Sequence, residues 1–238
     1  MQHTSYLERR GEIETYFDRT AAQAWERLTS DAPVGRIRAT VRAGRDRMRN
    51  TLLSWLPEDM TGQRLLDAGC GTGALAAEAA RRGAHVVAID LSPTLVQLAQ
   101  ERWQANFQDQ VSGRIDFLSG DMLDAKLGRF DHMVAMDSLI HYDLPDLVQA
   151  LETLSQRCEQ SMAFTFAPHS ALLAAMHRVG RWFPRSDRSP SLAPMRQEDL
   201  KSALTHKLGV TGWEEGETVR VASGFYTSQA WQWRRECA

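Results

Sequence analysis

From Arg64 onward, short apolar runs alternate with stretches whose apolar residues recur at helical spacing. The apolar runs predict strands near residues 64–67, 85–90, 114–119, 130–136 and 161–167. The stretches between them predict helices near residues 73–82, 93–106 and 145–158. Such alternation is typical of a parallel sheet that carries helices on both faces. The pattern therefore predicts an α/β protein with a Rossmann-like core.

The residues before the first strand have a helical pattern throughout. Apolar and small side chains recur at helix-compatible spacing until Asp31-Ala32-Pro33 ends the run. These positions are Tyr6, Ile13, Phe17, Ala21, Ala24 and Leu28. A second helix is predicted from Arg36 to Trp55, ahead of Pro57. We expect residues 1–57 to form a helical cap or lid over the sheet.

After Pro168 the alternation of strands and helices ends. An apolar helix is predicted from Ala171 to Val179, and residues 183–191 combine helix breakers with small polar groups. We expect residues 169–196 to form an inserted helix and a mobile loop that cap the substrate. The tail predicts two more strands, within residues 218–221 and 225–233. They would complete a mostly parallel seven-stranded sheet with an antiparallel edge, so the core comprises residues 58–168 and 197–238.

Composition narrows the class of protein. The 238 residues, with 43% hydrophobic and 24% charged side chains, suit one elaborated α/β domain. A net charge of −2 gives no bulk attraction to nucleic acid, which is not an expected partner. The three cysteines lie far apart without a C-x-x-C motif, so neither a disulfide framework nor a zinc site is predicted. The chain has no secretion signal or membrane-length apolar run, and we expect a cytoplasmic protein.

The most informative motif joins the first strand to the next helix. Residues 65–73 read Leu-Leu-Asp-Ala-Gly-Cys-Gly-Thr-Gly, which gives a strand, a glycine-rich turn and a helix N-terminus in order. Glycine allows positive φ and close approach of a ligand, and the helix end offers unpaired N–H groups. Asp90 ends the second predicted strand and can accept hydrogen bonds from ribose hydroxyls. The candidate cofactor contacts here are Asp67, Gly69, Cys70, Gly71, Gly73, Asp90 and Leu91.

Two classes of nucleotide-binding enzyme have a glycine-rich loop at this position. A dinucleotide-binding loop reads G-x-G-x-x-G and holds a pyrophosphate at the helix end. This loop reads D-x-G-x-G-x-G, and Asp67 at its mouth would repel a pyrophosphate but suits a ligand with an ammonium group. The loop resembles motif I of the class I S-adenosylmethionine-dependent methyltransferases. S-adenosylmethionine is therefore the favoured cofactor, ahead of a nicotinamide.

Further polar residues follow the third and fourth predicted strands. Asp121 could accept a hydrogen bond from the adenine amino group, and Met122 could cover the ring, although a turn acid and a core methionine would look the same. Asp137, His141 and Tyr142 leave the end of the fourth strand, where a cofactor methyl group would lie, and Asp137 is a further candidate cofactor contact. His141 is the most reactive-looking group, and helix capping is its alternative explanation.

The second predicted helix carries an arginine-rich face. Arg38, Arg42, Arg45 and Arg49 share one side of it, where they could be solvated, bind carboxylates or touch anionic lipid. Four aromatic residues of the N-terminal region could cover a flat substrate or pack in the core. They are Tyr16, Phe17, Trp25 and Trp55.

Beyond the cofactor loop, the chain resembles the magnesium-protoporphyrin IX O-methyltransferase family. The matching segments are Tyr16-Phe17 with Trp25, Val41-Arg42-Ala43-Gly44-Arg45, Asp137-Ser138-Leu139-Ile140-His141-Tyr142, Phe183-Pro184 and Gly224-Phe225-Tyr226. The cofactor loop and Asp90 are generic to the superfamily, whereas the Tyr-Phe, Arg-x-Gly and Leu-Ile-His-Tyr elements are more specific.

The resemblance implies methyl transfer from S-adenosylmethionine to one propionate of magnesium-protoporphyrin IX. It implies that Tyr16 and His141 are catalytic and that Phe17, Arg42 and Tyr142 join them in binding the substrate, with magnesium carried by the porphyrin rather than by the protein. Because a carboxyl group with a reference pKa of about 4.3 is ionised at neutral pH, we expect Tyr16 and His141 to position the carboxylate, or His141 to touch the magnesium.

The sequence leaves other functions open. The acceptor could be another small aromatic or isoprenoid molecule, or the chain could carry porphyrin for magnesium chelatase, whose porphyrin-binding subunit is a candidate partner. Peripheral contact with an inner or photosynthetic membrane is a further expectation, and a nucleic-acid methyltransferase is disfavoured by the charge and by the residues after the fourth strand.

Overall fold

The computed structural model describes residues 4–21, 29, 35–106, 111–169 and 192–235. Within these ranges, seven strands form one sheet with the order β3-β2-β1-β4-β5-β7-β6. The strands are β1 (Arg64–Ala68), β2 (His85–Asp90), β3 (Arg114–Ser119), β4 (Phe130–Ala135), β5 (Cys158–Phe166), β6 (Trp213–Ser223) and β7 (Tyr226–Arg235). The predicted strands are confirmed, with shifts of a few residues at their ends. The sheet agrees with the predicted Rossmann-like α/β core.

The direction of the strands follows from how they are connected. Strands β1 to β5 pair in parallel. An α-helix makes the crossover from β1 to β2, from β2 to β3 and from β4 to β5, whereas the connection from β3 to β4 contains only a short 3-10 helix, Ala125–Leu127. β7 inserts between β5 and β6 and pairs antiparallel with both, which gives the predicted antiparallel edge. The strand order reverses between β1 and β4, and in open α/β sheets a ligand crevice lies at the carboxyl ends of strands at such a point.

Six α-helices occur in the described ranges. They are α1 (Thr4–Thr15), α2 (Arg36–Ser54), α3 (Ala74–Arg81), α4 (Pro93–Asn106), α5 (Leu144–Ser155) and α6 (Gln197–Leu208). Helices α2 to α5 were predicted, whereas α6 was missed. Its signal was the buried repeat Leu200, Leu204 and Leu208, together with acids in the first turn and bases in the last. No described helix has the length and apolar character needed to span a bilayer.

The first helix departs from the predicted continuous run. α1 ends at Thr15, and Tyr16–Ala21 form a π-helical segment, a backbone widening that is common at functional sites. Several expectations lie outside the described residues. They are the covering or packing role of Trp25, the helix from Ala171 to Val179, the Phe183-Pro184 segment of the family resemblance, and the mobile loop at residues 183–191.

Helix α2 packs tightly against the β6–β7 hairpin. A Cβ on Gly44 would lie 2.5 Å from Cδ1 of Tyr226, so this helix approaches β7 with no room for a side chain. At the hairpin turn, Gly224 has φ +59° and lies directly against the Thr40 side chain. The Arg-x-Gly and Gly-Phe-Tyr elements of the sequence therefore contact each other across the helix–sheet interface.

Candidate active site

A cavity of about 650 Å³ opens at the carboxyl ends of the parallel strands. Its volume lies in the range of small-molecule sites. Most of the predicted site residues line it. From the cofactor set these are Asp67, Gly69, Cys70, Gly71, Asp90, Leu91, Met122 and Asp137, and from the substrate set Phe17, Arg42, His141 and Tyr142. Gly73, Asp121 and Tyr16 are not among its lining residues.

The glycines of the loop after β1 differ in what surrounds them. Gly71 has φ +52°, and a Cβ there would meet nothing within 4 Å, so its backbone faces open space on the cavity side. Gly69, with φ +86°, lies against the Ser138 side chain. Gly73 has φ +78°, and a Cβ atom added to it would lie 3.0 Å from Cβ of Ala99. Gly73 therefore lets the loop pack on α4 rather than forming part of the cavity wall.

Asp67 is the buried acid at the centre of the loop. Its side chain is 1% exposed, and its Oδ2 atom has no hydrogen-bond partner among the described residues. Burial, with a smaller effect of the nearby Asp90 charge, raises the pKa of Asp67 to about 7. An unpaired buried carboxylate oxygen is costly unless a ligand supplies a donor. The loop therefore fits the ammonium group of S-adenosylmethionine.

Asp90 holds the loop in place. Its Oδ2 accepts a hydrogen bond from the Gly71 N–H (2.8 Å), and its Oδ1 accepts one from the Ser92 N–H (3.0 Å). Burial raises the pKa of Asp90 despite these hydrogen bonds. The carboxylate lines the cavity, and its contact with ribose hydroxyls stays a prediction.

The Asp121 side chain, a predicted adenine contact, does not line the cavity and is hydrogen-bonded to other parts of the protein. Its Oδ1 accepts hydrogen bonds from the Tyr6 hydroxyl and the Leu123 N–H, both at 2.9 Å, and its Oδ2 accepts one from Arg10 at 2.8 Å. The carboxylate is thus directed to α1, while Gly120 and Met122 on either side line the cavity. Sequence reasoning could not find this, because Tyr6 and Arg10 lie 115 and 111 positions away from Asp121.

His141 follows β4 and lies beside an aromatic side chain of the N-terminal segment. His141 is 4% exposed, and its ring centroid lies 6.0 Å from that of Phe17. Tyr142 stacks on Tyr6 of α1 at 4.9 Å with an interplanar angle of 17°. Tyr16 packs edge-on against Phe17 but does not line the cavity, so the structure places His141 and not Tyr16 at the candidate reaction site.

The arginine face of α2 is divided. Arg42, Arg45 and Arg49 line the cavity, whereas Arg38 is exposed to solvent. Arg45 and Arg49 pair with Asp137 (2.8 Å) and Asp46 (2.9 Å). Residues of α3 and its C-terminal end also line the cavity. They were not selected by sequence reasoning and include Glu78, Arg81 and Arg82. Arg82 donates a hydrogen bond to the Leu53 carbonyl at 2.7 Å and so ties α3 to the end of α2.

Comparison with known proteins shows the family. Residues 135–235 match the family described as magnesium-protoporphyrin IX methyltransferase C-terminus, and residues 65–161 match a methyltransferase domain. The magnesium-protoporphyrin O-methyltransferase of Rhodobacter capsulatus is 45% identical over 232 residues, which are 97% of this chain and 99% of that protein. The chain belongs to the magnesium-protoporphyrin O-methyltransferase family.

More distant relatives carry the same family description. The Synechocystis magnesium-protoporphyrin O-methyltransferase is 26% identical over 91% of this chain and 92% of that protein. A crystal structure of magnesium protoporphyrin IX methyltransferase from Synechocystis, with S-adenosylhomocysteine bound, superposes with a TM-score of 0.82. It covers 95% of this chain and all of that one at 24% identity, a likeness that shows the shared fold.

Three segments that mark the magnesium-protoporphyrin O-methyltransferase family in this sequence meet at Asp137. Arg45 pairs with its Oδ2, and the Tyr226 hydroxyl donates at 3.1 Å. Thr165 and Ser228 donate to Oδ1 at 3.3 and 3.1 Å. The predicted contact of Asp137 with the cofactor is untested, but the structure gives its carboxylate a set of protein partners that join α2, β4, β5 and β7.

The pKa of Asp67 gives a testable pH dependence. In the unliganded protein this carboxyl holds a proton below about pH 7, and the ligand's ammonium group favours the ionised form. The affinity for S-adenosylhomocysteine should therefore fall about tenfold per pH unit below pH 7 and level off above it. Calorimetry at pH 6, in buffers of different ionisation enthalpy, should show a proton released on binding.

The matched variant for this prediction is Asp67→Asn. It should bind weakly at every pH, without the dependence on pH, because the titrating group has been removed. An affinity of the wild-type protein that stays constant between pH 5.5 and 8 would contradict the assignment of the ammonium contact to Asp67.

Proposed function

We propose that this protein transfers a methyl group from S-adenosylmethionine to a propionate carboxylate of magnesium-protoporphyrin IX. The product is the monomethyl ester, a step in chlorophyll or bacteriochlorophyll biosynthesis. The observation that carries this proposal is the 45% identity to the Rhodobacter capsulatus enzyme along almost the whole of both chains.

The charges around the cavity support a cationic methyl donor and an anionic acceptor. Two acids lie at the ends of β1 and β2, the buried Asp67 and the partly exposed Asp90, where a cationic ligand is favoured. Arg42 and Arg49 lie on the α2 wall, where guanidinium groups suit carboxylates. This separation of charge suits a sulfonium cofactor beside a carboxylate substrate.

The chemistry requires alignment more than acid–base catalysis. S-adenosylmethionine, when bound, supplies an electrophilic methyl group on a positively charged sulfur. A propionate is ionised at neutral pH, with a reference pKa of about 4.3, and needs no base to attack the methyl carbon. The protein must hold the carboxylate oxygen in line with that carbon and exclude water. His141 and Phe17, which line the cavity, are the candidates for this task.

The direct test mixes the purified protein with S-adenosylmethionine and magnesium-protoporphyrin IX and follows the products by mass-resolved chromatography. We expect a gain of one methyl group on the porphyrin and an equal amount of S-adenosylhomocysteine. Tight binding of S-adenosylhomocysteine without porphyrin methylation would contradict this acceptor and favour another small aromatic or isoprenoid one. Tight porphyrin binding without turnover would favour a carrier protein.

His141 and Tyr16 should respond differently to substitution. Because His141 lines the cavity and Tyr16 does not, His141→Ala should lower kcat/KM for the porphyrin about tenfold to a hundredfold, whereas Tyr16→Phe should retain most of the activity. Unchanged affinity for S-adenosylhomocysteine would show that both variants are folded. Equal losses in the two variants would support instead the catalytic contribution of Tyr16 that the family resemblance implies.

We also propose a peripheral contact with an anionic membrane surface, and hence a cytoplasmic location beside the inner or photosynthetic membrane. Ile37 and Phe225 are 60% and 52% exposed. Ile37 lies on α2 and Phe225 in the β6–β7 turn, and the contact of Thr40 with Gly224 brings the helix and the turn together. Exposed arginines of α2 flank Ile37, and a basic and apolar surface of this kind suits anionic lipid.

Sedimentation with vesicles that contain anionic lipid tests this contact. The double variant Ile37→Ser/Phe225→Ser should lose binding, whereas Val210→Ser, which removes an 82% exposed apolar side chain near the other end of β6, should not. Equal binding of the wild type and the double variant would contradict it.

The porphyrin-binding subunit of magnesium chelatase is the proposed donor of the substrate, because magnesium insertion must precede methylation of the magnesium porphyrin. If the porphyrin passes directly from the chelatase subunit to this protein, an added protein that binds free porphyrin should not lower the methylation rate. Full inhibition by this added protein would contradict a direct contact.

A further inference from the structure

The N-terminal segment Thr4–Ala21, here called the N-terminal strap, is attached to the loop that follows β3. The Tyr6 hydroxyl donates to Asp121 Oδ1 at 2.9 Å, and Arg10 Nη1 donates to Asp121 Oδ2 at 2.8 Å. Burial raises the pKa of Tyr6, so the phenol stays protonated and remains a donor. Asp121 is held between Gly120 and Met122, which both line the cavity.

The same strap is attached at a second point, the loop that follows β2. Asp18 Oδ1 accepts hydrogen bonds from the Thr94 hydroxyl (2.7 Å), the Ser92 hydroxyl (3.2 Å) and the Thr94 N–H (3.3 Å). Thr94 lies in the first turn of α4, where backbone N–H groups lack partners within the helix and a carboxylate is favoured. Asp18 therefore caps α4 from outside and fixes the chain directly after Asp90 and Leu91.

Between these two attachments, the strap forms part of the cavity wall. Ile13 and Phe17 line the cavity, and Phe17 lies beside His141. Tyr6, Arg10 and Asp18 do not line it, so they act only through the loops that they hold. The strap is thus attached to both loops that carry the expected ribose and adenine contacts, and it covers the space between those loops and the reaction site.

We propose that Arg10 and Asp18 are positioning residues for the cofactor: they hold the loops after β3 and β2 in the binding conformation and slow the release of the cofactor. The inference rests on the proposed use of S-adenosylmethionine. Attachment of the strap and binding of the cofactor stabilise the same conformation, so each strengthens the other. Cofactor affinity should therefore depend on side chains that never touch the cofactor.

The Arg10 contact is more than a surface ion pair. Isolated exposed pairs contribute little, because solvent screens them and long side chains lose freedom. The Asp121 side chain, however, is only 12% exposed and also accepts hydrogen bonds from Tyr6 and Leu123. Loss of the Arg10 charge would remove the cation that pairs at 2.8 Å with this mostly enclosed carboxylate, at the point where α1 meets the loop.

The test compares two neighbouring arginines. Arg10→Gln removes the contact with Asp121, whereas Arg9→Gln removes the same charge from a residue that pairs with Glu12 within α1 at 2.8 Å. The rate of S-adenosylhomocysteine dissociation is followed by stopped-flow tryptophan fluorescence. We expect Arg10→Gln and Asp18→Ala to raise this rate about fivefold or more, and Arg9→Gln to leave it within about twofold of the wild type.

Two further readouts separate positioning from general destabilisation. In steady-state turnover, Arg10→Gln should raise KM for S-adenosylmethionine more than KM for the porphyrin. S-adenosylhomocysteine should protect the wild-type protein against tryptic cleavage at Arg9 and Arg10, and this protection should be lost in Asp18→Ala, which keeps both cleavage sites. A wild-type dissociation rate in Arg10→Gln, or equal acceleration in Arg9→Gln, would overturn the proposal.

The binding measurement contains no porphyrin. A result against the positioning proposal would therefore say nothing about methyl transfer. Conversely, an absence of methyl transfer together with normal S-adenosylhomocysteine binding would count only against the proposed function.

Discussion

The buried carboxylate of Asp137 determines how helix α2 meets the sheet. It pairs with Arg45 of α2 and accepts hydrogen bonds from Thr165 of β5 and from Tyr226 and Ser228 of β7. Its backbone has φ +55°, a conformation that costs energy for a residue other than glycine and persists where the surroundings enforce it. A buried charge needs this number of partners, and removal of one partner is expensive. The carboxylate therefore holds four elements in one arrangement.

The turn that starts at Asp137 runs from the α2 wall past the cofactor loop to the reaction site. The next residue, Ser138, donates a hydrogen bond to the Ala68 carbonyl at 2.6 Å and packs against Gly69 of the cofactor loop. Three positions further on, His141 reaches the cavity beside Phe17. One turn therefore links the α2 wall, the loop that receives the methyl donor and the side chains that face the acceptor. This explains why the segments specific to the family are far apart in sequence and adjacent in the fold.

The sequence predicted the parts of this protein that depend on local pattern. The alternating periodicity predicted which segments form the strands and the helices between them. The glycine-rich loop with Asp67 and Asp90 predicted the cofactor crevice, because both signals are encoded over a few residues. The partners of Asp121 and Asp137 could not be predicted in this way, since an acid after a strand looks the same whether it meets a ligand or an arginine from another helix. Helix α6 was overlooked because its leucine repeat is short and follows a region without periodicity.

The most direct measurement is the behaviour of Asp137→Asn, a substitution that keeps the shape of the side chain and tolerates positive φ while removing the charge that pairs with Arg45. Binding of S-adenosylhomocysteine and kcat/KM for magnesium-protoporphyrin IX would be measured on the same preparation. If Asp137 organises the site through α2 and β7, S-adenosylhomocysteine affinity should change by less than about threefold, while kcat/KM falls about tenfold or more. Unchanged turnover would contradict this account. An equal loss of cofactor affinity would also contradict it and would assign Asp137 to the cofactor itself.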